Sequence, residues 1–169
     1  MRTPDEWERA GSTFEWHGER VFFLAEGQGE PLLVVHGFPT SSWDFAGIWP
    51  RLTAKHRVLT ADMIGFGLSS KPRRFDYSIL TQADLLEALV AREGFGRYGI
   101  LAHDYGVTVT QELLARQRDR KSKDIARVCF LNGGLFPETH RALVTQKLLD
   151  SPIGPLVARV SSYRTFRAS

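Results

Sequence analysis

Five consecutive residues, Ala102-His103-Asp104-Tyr105-Gly106, carry the strongest chemical signal in this sequence. They lie within Ile100 to Arg116, "ILAHDYGVTVTQELLAR", where an apolar run ends and a helical pattern starts at once. A carboxylate at the tip of a buried strand is costly unless its charge is compensated. The pattern small-x-nucleophile-x-small at a strand-to-helix turn is a nucleophile elbow, so tight that larger flanking side chains would collide with the adjoining strand and helix. Gly106 opens the helix without steric cost. Asp104 then lies near a helix N-terminus, where the macrodipole and free N–H groups favour the carboxylate form. An isolated Asp at such a junction would read as a helix N-cap. The upstream run His36-Gly37-Phe38-Pro39 favours the nucleophile instead.

The elements that must position these residues follow from hydropathy patterning. "TFEWH" and "RVFFLAE", separated by Gly18-Glu19, alternate apolar and polar residues and predict an antiparallel hairpin. "PLLVVH" (31–36), "RVLTAD" (57–62), "YGILAH" (98–103) and "IARVCFLN" (125–132) are short apolar runs, the pattern of strands buried on both faces of a parallel sheet. Helical periods lie between them: around Trp43 to Leu52, then the stripe Ile79, Ala83, Leu86 and Val90, then Val109 and Leu113. Ser78 or Thr81 would cap the second of these helices and Gly94 would end it. Strands alternating with helices after a leading hairpin predict an α/β domain with a mainly parallel sheet. Ligands of such sheets bind beyond the carboxyl ends of the strands, where "HGFP", "DMIGFG" and "HDYG" converge.

Composition excludes several classes. With 169 residues, 43% hydrophobic and a formal net charge of +3, the chain suits one soluble domain with a real core. The basic run "RQRDRKSK" (116–123) has no aromatic interleaving and reads as a solvated helix end, so no nucleic-acid partner is expected. No apolar run approaches a membrane span and the N-terminus is unlike a signal peptide, so a cytoplasmic protein without membrane contact is expected. The single Cys129, inside "VCFL", is expected to be a buried thiol. His36 and His103 stand in no metal-ligand spacing, and no metal or cofactor is expected. Gly65-Phe66-Gly67 lacks the Lys and third Gly of a phosphate loop and reads as a tight turn. Ser69 and Ser70 follow that turn and sit at no elbow. The aromatics of "SSWDFAGIW" fit either helix core or pocket wall.

"HGFPTSSWDF", "DMIGFGLSSKP" and "HDYG", in this order and spacing, resemble the α/β-hydrolase superfamily, in the branch of the epoxide hydrolases and haloalkane dehalogenases. The later run "LNGGLFPETHRALVTQKLL" is similar to the mesoderm-specific transcript subgroup. The resemblance implies that Asp104 attacks an electrophilic carbon of a small-molecule substrate and forms an alkyl-enzyme ester, which water then hydrolyses. It implies an oxyanion hole from the backbone N–H groups of Phe38 and Tyr105, supported by His36, Gly37, Pro39, His103 and Gly106. The bond before Pro39 is often cis in this superfamily. Asp62 matches a position that shapes the active-site edge and is no triad member.

The pattern then departs from the family. Its chain order is nucleophile, acid, histidine, yet the only histidine after Asp104 is His140, where the cap region begins. Asn132 and Gly133 occupy the place after the sixth strand where some dehalogenases carry the acid, and Glu138 and Asp150 match no motif. Tyr105 stands where halide-binding dehalogenases place Trp, which favours epoxide or ester-type chemistry; Tyr163 lacks the motif of the epoxide-activating tyrosines. The expected organisation is the N-terminal part of an α/β-hydrolase core over 1–137 and the start of a cap over 138–169, truncated before the final strands. "IARVCFLN" would then expose an apolar edge open to self-association. The alternative to an incomplete hydrolase is a noncatalytic α/β-hydrolase-like binding domain.

Overall fold

The computed structural model describes residues 1–134, 147 and 151–154. The chain divides into two units, Met1–Leu135 and Phe136–Ser169, and the first carries the sheet. The expected 137/138 boundary lies outside the described residues.

Strands β1 (Ser12–Trp16) and β2 (Glu19–Glu26) form the leading hairpin. Its turn sits on His17 and Gly18, at φ 50° and 78°, one residue earlier than the sequence suggested. Two successive positive φ values match the right-handed twist of the flanking strands. Strand β2 pairs antiparallel with β4 (His56–Ala61), and β3 (Glu30–Val35) runs parallel to β4 and to β5 (Tyr98–His103). Strand β6 (Ile125–Leu131) pairs parallel with β5. The mixed sheet of six strands has the order β1-β2-β4-β3-β5-β6. All three parallel strands that precede candidate site segments therefore end on one edge.

One face of the sheet packs on α3 (Ile79–Arg92) and α4 (Tyr105–Arg120), burying Leu33, Val35, Leu59, Ile100 and Ala102 against Ala83, Leu86, Val109 and Leu113. Ser78 caps α3 by accepting from the Thr81 N–H, and Gly94 follows its end at φ 66°, as the sequence indicated. Arg116 ties α4 to α3 through Asp84 and Glu87, and also pairs with Glu112. The other face packs under α1 (Pro4–Ala10) and α2 (Trp49–Thr53) with Phe45 of a 3-10 turn (Ser42–Phe45).

Two expectations are corrected, and one element is added. The helix read around Trp43 to Leu52 is split into that turn and the short α2, which begins with Pro50 at its start. Helix α1 was not foreseen; Thr3 and Glu6 form a reciprocal capping box and Pro4 opens the helix. It seats Trp7, whose Nε1 donates to Ser42 Oγ over 3.1 Å. Cys129 is exposed, not buried. Among the described residues strand β6 is the outer strand of the sheet, and its Ile125, Val128 and Phe130 turn toward the α3–α4 cluster, leaving Cys129 and Leu131 on the opposite face. Among the described residues, no helix is long and apolar enough to cross a membrane.

Candidate active site

Strand β5 and helix α4 meet at Asp104, whose backbone adopts φ 50° and ψ −118°. Such a conformation at a non-glycine residue costs about 1–3 kcal/mol and persists only where its surroundings enforce it. Here the Asp104 N–H donates to Leu131 O over 3.0 Å and its carbonyl accepts from the Val107 N–H over 2.9 Å. The turn is possible because its neighbours lack bulk. A Cβ on Gly106 would come within 2.6 Å of His36 O and 2.7 Å of Val35 O. One on Gly133 would meet Val107 Cβ at 2.3 Å.

Asp104 stands in the N-cap position of α4 but makes no side-chain cap hydrogen bond. Its side chain turns to the β3 loop, where the Phe38 N–H donates to Oδ1 over 2.8 Å. Only glycine lets that loop pass so close: a Cβ on Gly37 would lie 2.5 Å from Asp104 Cβ and 2.8 Å from Oδ1. The Phe38–Pro39 bond is cis. Tyr105 opens α4, so its N–H belongs to the first turn, whose donors have no partner within the helix. Its phenol is half-buried, and burial pushes its pKa up, keeping the O–H protonated at neutral pH.

The supporting residues are brought to the same edge. His36 is fully buried, with Nδ1 2.8 Å from Gly37 O and Nε2 accepting from the Met63 N–H over 3.1 Å. His103, half-buried, ends β5 beside Asp104. Asp62, 1% exposed, accepts from the Ser42 N–H at 2.8 Å and the Leu68 N–H at 2.7 Å, bracing the β3 and β4 loops against each other. Gly67 makes room for it, since a Cβ there would fall 2.0 Å from Asp62 Oδ2. Ser69 is occupied by the Phe22 N–H and by Asp62 O, which removes it as a nucleophile.

Sequence reasoning missed Phe66. Read as part of a tight turn, it packs its ring against His36, Phe38 and Tyr105, at centroid distances of 5.2, 6.3 and 5.9 Å, and so walls the site with aromatic surface. An aromatic between two turn glycines was the available signal. The aromatics of "SSWDFAGIW" resolve mainly as core, with Phe45 and Trp49 buried. A cleft of about 440 Å³ lies at the other end of the strands, against Glu30, Arg97, Tyr98 and Arg127. It holds none of these residues, and open α/β sheets bind ligands at the carboxyl ends. Among the described residues no group of three or more His, Cys, Asp or Glu could hold a metal ion. His140, Glu138, Asp150 and Tyr163 lie outside the described residues.

Comparison with known proteins decides the family. The model of the alpha/beta hydrolase fold matches residues 30–151. The chain belongs to the alpha/beta hydrolase fold family. As a member of that family it is 43% identical over 171 residues to the mesoderm-specific transcript homolog protein of Bos taurus, an alignment covering 95% of this chain and 51% of that protein. Among solved structures, the haloalkane dehalogenase DbeA from Bradyrhizobium elkani superposes with a TM-score of 0.66 at 26% identity, covering 73% of this chain and 41% of that one. The epoxide hydrolase CorEH superposes with a TM-score of 0.69 at 25% identity, covering 82% and 48%. The chain spans about half the length of the curated mesoderm-specific transcript proteins it matches.

Proposed function

We propose that this α/β hydrolase uses Asp104 as the nucleophile of a two-step hydrolysis at an electrophilic sp³ carbon. The observation that carries the reading is Asp104 at its strained strand–helix turn, with its side chain declining to cap the helix and Oδ1 held instead by the Phe38 N–H. With Oδ1 engaged, Oδ2 attacks. A new C–O bond forms, the carbon–halogen or epoxide C–O bond breaks, and the leaving group departs as halide or as an alkoxide that must take up a proton. Water then attacks the carboxyl carbon of the ester, and collapse of the adduct breaks that carbon's bond to Oδ2, which leaves with the alkyl group as an alcohol after taking up the proton that water gave to a base. The oxyanion that develops is Oδ1 itself, already against the Phe38 N–H and close to the first turn of α4, where the Tyr105 N–H is the second donor.

The haloalkane dehalogenase and epoxide hydrolase neighbours support this chemistry, and the Phe38–Phe66–Tyr105 wall supports an apolar substrate. Hydrolysis also needs a histidine base and an acid to orient it. We assign these to the part of the relatives that this chain does not cover. The chain by itself is then expected to alkylate and to stall at the ester.

Intact-mass spectrometry after incubation with a panel of terminal epoxides and primary alkyl halides tests this. A persistent single adduct in the wild type and none in folded Asp104→Ala is the expected result. No adduct in a folded wild-type sample across the panel would support the noncatalytic reading.

A further inference from the structure

Between the last turns of α3 and α4, at the amino end of β5, a cleft opens roughly 20 Å along that strand from Asp104. It has two parts, which share Glu87, Tyr98, Arg120 and Asp124. The larger, about 300 Å³, is also lined by Val90, Ala91, Phe95 and Gly96. The smaller, about 30 Å³, is a recess that reaches Gln117 and Ser122.

Tyr98 is only 6% exposed, yet its hydroxyl makes no hydrogen bond among the described residues. A buried phenol usually finds a partner. The Ser122 hydroxyl and the Asp124 carboxylate, on the same recess, are equally unpaired among those residues. The other polar groups of the lining are engaged. Arg120 donates to Glu87 through both terminal nitrogens, over 2.6 and 3.2 Å, and the Gln117 amide pairs with the backbone N–H and carbonyl of Ile125. Both helices turn their carbonyl ends to the cleft, and these negative poles favour a cation and oppose an anion. Burial, and then the charges of Glu87 and Asp124, push the Tyr98 pKa up to about 12, so the phenol stays a neutral hydroxyl at pH 7.

We propose that this cleft is a ligand site for a primary amine with a small apolar group, its ammonium in the recess among Tyr98, Ser122 and Asp124 and its carbon part against Val90, Ala91 and Phe95. An ammonium carries three donors and no acceptor, which matches three unpaired oxygens. Asp124 supplies the countercharge. A neutral alcohol of the same shape has one donor and gains nothing from the helix ends or the carboxylate. The site stands apart from Asp104 and does not rest on the nucleophile reading. Its rival is a trapped water, which a polar recess of this size also holds.

The experiment titrates the purified chain at pH 7 with phenethylammonium chloride and follows backbone amide shifts by NMR. Saturable shifts at Gly96, Tyr98, Ser122 and Asp124, with a Kd of about 1 mM, are expected, and none at Phe38 or Tyr105 beside Asp104. Phenethyl alcohol, uncharged, and the trimethylated ammonium, charged but without N–H groups, are each expected to bind at least about ten-fold more weakly. Tyr98→Phe and Asp124→Asn should each weaken the amine by about ten-fold. Tyr98→Phe should leave the urea midpoint unchanged or raised, because its hydroxyl has no partner to lose. Absence of shifts at the recess, the result a trapped water predicts, overturns the proposal. So does an alcohol that binds as tightly as the amine, or variants that bind as the wild type does. Should a variant lose the β5 amide pattern, the comparison of the amine with its two analogues on the wild type decides.

Discussion

Gly37→Ala tests the oxyanion geometry with a single methyl group. The added Cβ would start 2.5 Å from Asp104 Cβ and 2.8 Å from Oδ1, against a comfortable carbon–carbon separation of roughly 3.5–4.0 Å. Relieving this contact moves the loop by about 1 Å, and the 2.8 Å Phe38 N–H···Oδ1 bond then lengthens beyond the range of a useful hydrogen bond. The fold survives, because Gly37, though buried, is followed by the exposed residues Phe38, Pro39 and Thr40, which can shift, and overpacking costs about 1–3 kcal/mol. Loss of one oxyanion donor slows the step it serves by about 10²–10³, or roughly 2.7–4 kcal/mol. In the proposed reaction that step is cleavage of the Asp104 ester, so the effect is expected there. The assay isolates the alkylated chain and follows decay of the adduct by intact mass at alkaline pH, where hydroxide is itself the attacking nucleophile. Wild type is expected to lose the adduct about 10²–10³ times faster than Gly37→Ala. Equal decay rates in two folded samples would refute the reasoning.

Three further outcomes follow from contacts elsewhere in the fold. Asp62→Ala leaves the buried Ser42 N–H and the partly buried Leu68 N–H without their acceptor and should lower the free energy of urea unfolding by about 1–3 kcal/mol. Arg116→Met leaves Asp84 and Glu112 without their arginine, Glu87 keeping Arg120, and should cost about 0.5–1 kcal/mol, with the loss shrinking in high salt as the remaining charges are screened. Burial depresses the pKa of His36, so below its ordinary value of about 6.5 the unfolded chain binds more protons than the folded one. Its contribution to stability is complete above that pH and falls as pH drops through the folded value. Urea midpoints should therefore decline in acid less steeply for His36→Asn than for wild type.

The sheet was legible because its strands are short apolar runs of the expected period, and the tight strand–helix turn at Asp104 was legible because the small residues Ala102 and Gly106 flank it. What escaped had local causes. Pro50 and Gly47 break an apolar period that otherwise reads as one helix from Trp43 to Leu52. Thr3-Pro4-Asp5-Glu6 spells a capping box, but seven residues carry too little periodicity to announce α1 without it. Cys129 reads as core from its neighbours, and only the outer position of β6 exposes it. Phe66 joins the site through the approach of three separate loops, a juxtaposition that no spacing along the chain encodes.

The most direct measurement is the location of the carbon left on the protein by a reactive epoxide or alkyl halide. Trypsin releases Tyr98–Arg116, a peptide whose only carboxylates are Asp104 and Glu112. Fragmentation of that peptide should place the added mass on Asp104. Its placement on Glu112 or on any other residue, or its absence from a folded chain, would contradict the account.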